Sequence, residues 1–265
     1  MNRIDEKFLE LKKIGKKALI TFVTAGDPDI ETTKDIVREM VSSGADIVEL
    51  GVPFSDPVAE GPVIQAANVR ALSKGLKING IMEAVKDLRK DVTIPLLYLL
   101  YFNSILQYGI GRFFENCRNA GIDGVIIPDL PFEEREEIEE FADANSIALI
   151  TLVSPVSGER TQIIAENAKG FLYCVSSLGV TGVRKDFNTD FDEFFRQINK
   201  ATDIPKALGF GISSVEHVNA LKGYCDGLII GSAIVKIIED SAAKPVDAVK
   251  NTGIFVKQLR EALDS

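Results

Sequence analysis

The sequence predicts an α/β protein in which eight parallel β-strands alternate with α-helices and close into a barrel. Short β-rich runs and amphipathic helical patterns follow one another from end to end, which is typical of a parallel sheet with right-handed crossovers. Eight such units favour a (β/α)8, or TIM, barrel over an open sheet. The 265 residues suit that fold, and we expect a single barrel domain over residues 1–265.

The strand candidates are short, apolar and rich in β-branched residues, and helical periodicity separates them. The strands are Ala18–Ala25, Asp46–Pro53, Ile94–Tyr101, Gly124–Leu130, Ala148–Ser154, Phe171–Ser177, Pro205–Ile212 and Gly227–Ile234. The helices between them are Ile30–Ser43, Pro62–Lys74, Asn79–Lys90, Ile110–Ala120, Phe132–Ala144, Gly158–Asn167, Asp190–Ala201 and Ser214–Lys222. An extra helix over Arg3–Ile14 precedes the first strand and is expected to cover the barrel bottom, and Pro245–Leu263 forms a last helix. The connection after strand 2 is extended, with a loop and two helical patterns.

Composition excludes several classes of function. The net charge of −9 and the lack of a basic stripe argue against a nucleic-acid partner. The N-terminus lacks a secretory signal, and the longest apolar run, Ile94–Phe102, is about half of what a membrane span requires, so we expect a cytoplasmic protein. Cys117, Cys174 and Cys225 are widely separated and fit reduced core residues. With one histidine, His217, we expect no metal, and acid–base chemistry falls to carboxylates or tyrosines.

Glu49 is the most informative single residue. It lies near the end of the apolar second strand, directly before a Gly/Pro-rich loop. Because strand side chains alternate, Ile47, Glu49 and Gly51 share one face. A buried carboxylate is costly unless it is paired or functional, and the C-terminal end of a barrel strand is where such enzymes place catalytic groups. We interpret Glu49 as a catalytic acid or base, the alternative being a solvated residue at the loop edge.

Glycine-bearing segments follow the last three strands and predict a phosphate site. They are Gly179–Gly182, Gly209–Ser214 and Gly231–Ile234, the last directly before a helical stretch. Glycine lets backbone N–H groups approach an anion, and a helix N-terminus adds a favourable dipole. Loops after strands 7 and 8 are the recurrent phosphate site of this fold, and Ser232 can add a hydroxyl hydrogen bond.

Several motifs in order along the chain resemble the tryptophan synthase α subunit family. They are Phe22–Pro28, Glu49–Pro57 (ELGVPFSDP), Gly61–Gln65, Ile126–Pro131, Gly179–Gly182, Gly209–Ser213 and Gly231–Lys236. The resemblance covers nearly the whole chain. It implies retro-aldol cleavage of indole-3-glycerol phosphate to indole and glyceraldehyde 3-phosphate.

The resemblance also implies residue roles. Glu49 is the general acid that protonates the indole ring carbon, and Glu60 is the second carboxylate, near the ring N–H where positive charge develops. Tyr173 points into the pocket, the alternative being a core tyrosine. The resemblance further implies that the indole slot is lined by Phe22, Leu99, Tyr101, Ile126 and Phe210. It implies that the phosphate is bound by Gly182, Gly211, Gly231 and Ser232. It also implies a lid over Val180–Asn188, which closes when Asp56 contacts Thr181.

One departure from the family concerns the second carboxylate. Members of the family usually have Asp where this chain has Glu60, so the side chain is one methylene longer. A misplacement of ~1 Å can cost on the order of 10²-fold in rate. We keep Glu60 as the second carboxylate, the alternative being a solvated loop charge.

The resemblance implies an α2β2 complex whose β subunit carries pyridoxal phosphate and receives indole, so no cofactor is expected in this chain. Asp56, Pro57, Asp129 and Pro131 are expected on the face that the partner covers. Three alternatives remain: a barrel enzyme acting on another phosphorylated intermediate, a weakly catalytic barrel that mainly activates the β subunit, and a stand-alone lyase that releases free indole.

Overall fold

Eight parallel strands form a closed barrel in the order β1 to β8, each hydrogen-bonded to its sequence neighbours and β8 to β1. The computed structural model describes residues 2–158, 160–175, 190–209 and 211–265. The strands are β1 Ala18–Thr24, β2 Ile47–Gly51, β3 Leu96–Leu99, β4 Gly124–Ile126, β5 Ala148–Val153, β6 Leu172–Val175, β7 Lys206–Gly209 and β8 Gly227–Ile230. The predicted (β/α)8 barrel is therefore confirmed.

Helices separate the strands and pack around the barrel. They are α1 Arg3–Lys13, α2 Ile30–Ser42, α3 Pro62–Ser73, α4 Ile78–Leu88, α5 Phe102–Tyr108, α6 Ile110–Ala120, α7 Glu136–Ala144, α8 Arg160–Glu166, α9 Phe191–Ala201, α10 Val215–Leu221, α11 Ser232–Ser241 and α12 Pro245–Asp264. Short 3-10 turns cover Phe132–Glu134 and Pro155–Ser157. None of these helices is long and apolar enough to cross a membrane, a statement limited to the described residues.

The extra N-terminal helix closes the bottom of the barrel, as the sequence predicts. Ile4, Phe8 and Leu11 of α1 belong to the same buried cluster as the side chains inside the barrel. The ring of Phe8 lies 5.6 Å, centroid to centroid, from that of Phe171 at the start of β6. Asn2 caps α1 by accepting from the backbone N–H groups of Ile4 and Asp5, which fixes where this helix begins.

Several boundaries differ from the sequence prediction. The strand β4, predicted to run to Leu130, ends at Ile126, and two further differences concern where a helix begins. The eighth strand ends at Ile230, and residues 232–234, predicted as strand, form the first turn of α11. The unpredicted α5 begins at Phe102, whose backbone N–H donates to the Asp129 carboxylate over 2.9 Å. The end of β8 was misplaced because a continuous apolar run does not show where a strand ends and a helix begins. The helix α5 was missed because the partner of its first N–H group lies in the loop after β4. The extended connection after β2 holds a loop over residues 52–61, then α3 and α4.

Candidate active site

Glu49 lies inside the barrel on β2, in register with Phe22 of β1 and Leu97 of β3. Its side chain is 1% exposed, and neither carboxyl oxygen has a hydrogen-bond partner among the described residues. Burial raises the pKa of Glu49 from 4.5 to about 8, because a charged carboxylate loses its hydration there. At pH 7 the group is therefore mostly the neutral acid and can donate a proton.

A cavity opens above Glu49 where the strands end. The loops after β2, β4, β7 and β8 contribute to its wall, so it lies at the catalytic face of this fold. It is lined by Phe22, Glu49, Ala59, Glu60, Ile64, Leu99, Pro128, Leu152, Tyr173, Gly211, Ile212, Ser213, Ile229, Gly231 and Ser232. Two carboxyl groups, one tyrosine and a mainly apolar wall thus share one space.

Glu60 is held by Tyr101. The Tyr101 hydroxyl donates to the Glu60 carboxylate and accepts from the backbone N–H of Ala59 over 2.9 Å. The ring of Tyr101 stacks on Phe54 with centroids 4.9 Å apart. Glu60 is only 5% exposed, and burial raises its pKa while the Tyr101 hydrogen bond opposes that rise. The one-methylene-longer side chain is therefore anchored rather than solvated.

Tyr173 on β6 is the third titratable group that faces the cavity. Burial raises its pKa well above the ordinary value, and the charge of Glu49 adds to that rise. Its hydroxyl lies so close to the β7 backbone that a Cβ on Gly209 would be 2.7 Å from the oxygen. A side chain at position 209 would therefore push Tyr173 into the cavity.

Three of the predicted phosphate-binding residues, Gly211, Gly231 and Ser232, line the cavity together. Gly231 is the N-cap of α11, which has no side-chain cap, and Ser232 is the first helical residue. The first backbone N–H groups of a helix have no intrahelical partner, so this end can bind an anion. Gly211 lies beside them with φ of +83°, a conformation that favours glycine.

The structure places the other predicted site residues as follows. Phe22 and Leu99 line the cavity. Ile126 is fully buried in the interior cluster, and Pro128, in the turn after β4, reaches the wall instead. Tyr101 lies behind Glu60 rather than on the wall. Asp56 is exposed in the loop after β2 and accepts from the Ser55 hydroxyl. Phe210, Thr181, Gly182 and the predicted lid lie outside the described residues.

Sequence reasoning missed part of the wall. Leu152 follows Ala148 and Ile150 at every second position of β5, and Ile229 does the same on β8, so strand alternation could have identified both. Ala59 and Ile64 flank Glu60 and the start of α3, and only the three-dimensional path of that loop brings them to the cavity. The described residues contain no cluster of three or more His, Cys, Asp or Glu placed to share a metal ion.

Comparison with known proteins gives one consistent answer. The family described as tryptophan synthase alpha chain matches residues 8–264. The tryptophan synthase alpha chain of Caldanaerobacter subterraneus subsp. tengcongensis is 54% identical over 263 residues, covering 99% of this chain and 100% of the relative. That of Clostridium kluyveri is 48% identical over 264 residues and both full lengths.

Solved structures agree with these relatives. The crystal structure of the Legionella pneumophila tryptophan synthase alpha chain has a TM-score of 0.90 and 33% identity, covering 100% of this chain and 98% of that one. A chain of Mycobacterium tuberculosis tryptophan synthase has a TM-score of 0.90 and 29% identity, covering 99% and 98%.

Proposed function

The chain belongs to the tryptophan synthase alpha chain family, and we propose that the cavity above Glu49 is where it carries out the family's reaction. That reaction is the lyase step in tryptophan biosynthesis, the retro-aldol cleavage of indole-3-glycerol phosphate to indole and glyceraldehyde 3-phosphate. The resemblance seen in the sequence is thus confirmed, and the roles of individual residues below are our proposal.

Glu49 supplies the proton that starts the cleavage. Its neutral form transfers a proton to the indole ring carbon that carries the side chain, and the ring becomes a cation. Glu49 is then a buried carboxylate without a hydrogen-bond partner in the described residues, hence a stronger base than an exposed carboxylate. It takes the proton of the side-chain hydroxyl next to that carbon, the carbon–carbon bond breaks, and its electrons return to the ring. Indole and the aldehyde form, and Glu49 regains its proton.

Glu60 stabilises the charge that develops on the ring. As a carboxylate beside the indole N–H it lowers the energy of the cation. The Tyr101 hydroxyl keeps Glu60 at the cavity wall and favours its charged form. Tyr173, beside Glu49, orients the side chain of the substrate.

Apolar and polar ends of the cavity fit the two ends of the substrate. Phe22, Leu99 and Leu152 offer a flat apolar slot for indole. The backbone N–H groups at Gly211, Gly231 and Ser232 bind the phosphate, together with Gly182 as the family resemblance implies. The resemblance also assigns Phe210 to the indole slot and Asp56 with Thr181 to closure of the lid, which would exclude water.

The partner is a tryptophan synthase β subunit in an α2β2 complex. Asp56, Asp129 and Pro131 are exposed around the mouth of the cavity, next to Val58, a large apolar side chain that is 72% exposed. An exposed apolar residue in a polar rim fits a protein interface. The α chains of this family need no cofactor, and we assign pyridoxal phosphate to the β subunit. The three free, buried cysteines suit the cytoplasm, where we place the enzyme.

The observation that carries this proposal is the buried Glu49 carboxyl group facing the cavity, without a hydrogen-bond partner among the described residues. The test is indole release from indole-3-glycerol phosphate by the purified chain, alone and with a β subunit. We expect slow release that rises strongly with β, and a loss of ~10³-fold in Glu49→Gln with β binding retained. The exposed Glu137→Gln on α7 is the matched control.

Other outcomes favour the alternatives. No release in either case, with the β subunit still activated, would mean that Tyr101 holds Glu60 away from the substrate and that the chain is mainly an allosteric partner. Rapid release that β does not change would indicate a stand-alone lyase.

A further inference from the structure

A charged bridge joins α3, α11 and the loop after β1 outside the cavity. The Arg70 guanidinium on α3 donates from Nε and Nη2 to the two carboxylate oxygens of Asp27, each over 2.8 Å. Its Nη1 donates to Glu239 on α11 over 2.9 Å. Asp27 is 1% exposed, and two parallel hydrogen bonds from a planar guanidinium are the arrangement that a buried carboxylate requires. We call Arg70, Asp27 and Glu239 the Arg70 bridge.

The two bridged helices begin at the two ends of the proposed substrate. The helix α3 starts at Pro62, directly after Glu60 and Gly61, and α11 starts at Ser232. Arg70 and Glu239 each lie about two turns, or ~11 Å, below those starts. The bridge thus holds the two helices at equal depth below the cavity.

An apolar cluster fills the space between the bridge and the cavity. Phe22 of β1, Ile64 and Ala67 of α3, and Val235 of α11 pack together. Such apolar contacts are not directional, so they resist separation of the helices more than they resist sliding. The bidentate pair with Asp27 is directional, and it ties α3 to the loop that leaves β1.

We propose that Arg70 is a positioning residue that fixes the distance from the phosphate site at the start of α11 to Glu60 before the start of α3. This inference rests on the proposed function. When the bridge is broken, α3 and α11 slide against each other, and a substrate anchored by its phosphate presents its ring out of register with Glu60. A shift of ~1 Å can lower the rate on the order of 10²-fold. The phosphate site itself keeps its N–H groups, so the affinity for a phosphate ligand stays.

Two variants test the bridge without leaving Asp27 unpaired. Arg70→Lys keeps the positive charge beside Asp27 but cannot form the two parallel hydrogen bonds. Glu239→Ala keeps the pair with Asp27 and removes the bond from Arg70 to α11, together with the Lys236–Glu239 ion pair within that helix. The matched control is Arg38→Lys, which alters an ion pair from α2 to Asp91, in the turn after α4, over 2.8 Å and away from the cavity.

The chain in complex with a β subunit is assayed for indole release, and glycerol 3-phosphate binding is titrated by calorimetry, at a temperature where all variants are folded by circular dichroism. We expect both bridge variants to lower kcat ~10–100-fold, with KM and the Kd of glycerol 3-phosphate within about threefold of wild type by the same reasoning. The control should change neither. Full kcat in either folded bridge variant would overturn the proposal, as would an equal loss of kcat and of affinity.

A readout independent of catalysis separates this inference from the proposed function. Hydrogen exchange of residues 232–241 should be faster in both bridge variants than in Arg38→Lys. A wild-type chain that releases no indole would refute the proposed function. The hydrogen-exchange comparison would still test whether the Arg70 bridge holds α11 in place. Unchanged exchange would refute the bridge even in an active enzyme.

Discussion

Replacing Glu49 by Gln should stabilise the fold, and increasingly so as the pH rises. In the folded chain burial raises the pKa of Glu49 to about 8, against 4.5 without burial. The folded state therefore binds this proton more tightly than the unfolded state. The contribution of this tighter proton binding to the free energy of unfolding is fully present below pH 4.5 and is lost as the pH rises to about 8. Gln has nearly the same shape and never ionises, so it escapes this loss.

The expected magnitude follows from the two pKa values. Each pH unit between them costs about 1.4 kcal/mol. The stability advantage of Glu49→Gln should therefore be about 1 kcal/mol at pH 5, about 3 kcal/mol at pH 7 and about 5 kcal/mol above pH 8, where it levels off. The buried amide that Gln introduces replaces a neutral carboxyl group that also lacks a partner in the described residues, so that contribution nearly cancels.

The assay is urea unfolding followed by circular dichroism at pH 5, 6, 7, 8 and 9 for the wild type, Glu49→Gln and the exposed Glu137→Gln. The difference between Glu49→Gln and the wild type should rise with pH, and that for Glu137→Gln should stay within about 0.5 kcal/mol of zero. A Glu49→Gln difference that is flat from pH 5 to pH 9 would refute the raised pKa, and with it the acid role that we assign to Glu49.

Three further predictions concern other parts of the molecule. Gly209→Ala should lower kcat by ~10-fold or more, because a Cβ 2.7 Å from the Tyr173 hydroxyl displaces that ring. The control is Gly223→Ala, whose Cβ would meet open space. Full activity of Gly209→Ala would contradict the placement of Tyr173. Tyr101→Phe removes the hydrogen bond that lowers the Glu60 pKa, so the Glu60 ionisation in the pH profile of kcat/KM should move to higher pH, and an unmoved profile would mean that Tyr101 does not hold Glu60. Phe8→Ala should cost about 3–5 kcal/mol of stability, measured by urea unfolding, while kcat stays near wild type in the cold; a parallel loss of kcat would show that α1 does more than close the barrel bottom.

The barrel fold and the inward orientation of Glu49 could be predicted from the sequence because both depend on local patterns. Alternation on β2 predicts that Glu49 points inward, and eight strand-and-helix units predict closure. The end of β8 was misplaced because residues 227–238 are apolar almost throughout, and only the N-cap at Gly231 separates strand from helix. The helix α5 was missed because Asp129, from the next strand's loop, supplies a partner for its first N–H group.

The function of Tyr101 could not be predicted from spacing alone. Its partner Glu60 is 41 residues away along the chain, and the hydrogen bond depends on how the loop after β2 folds back over β3. The family resemblance assigned Tyr101 to the indole slot, but whether an inward tyrosine touches substrate or another side chain is decided by tertiary contacts. Ile126 shows the same limit, since the layer of the barrel at which the cavity begins is set by all eight strands together.

The helix α1 at the barrel bottom also determines the direction in which substrate and products enter and leave the cavity. Because α1 packs against the side chains inside the barrel, the cavity does not open toward the barrel bottom, so substrate and products pass at the end where the strands finish. A protein bound at that end therefore controls the entry of substrate and the release of products. Such a protein can receive indole, the smaller and uncharged product, directly from the cavity, so that indole does not pass through bulk water.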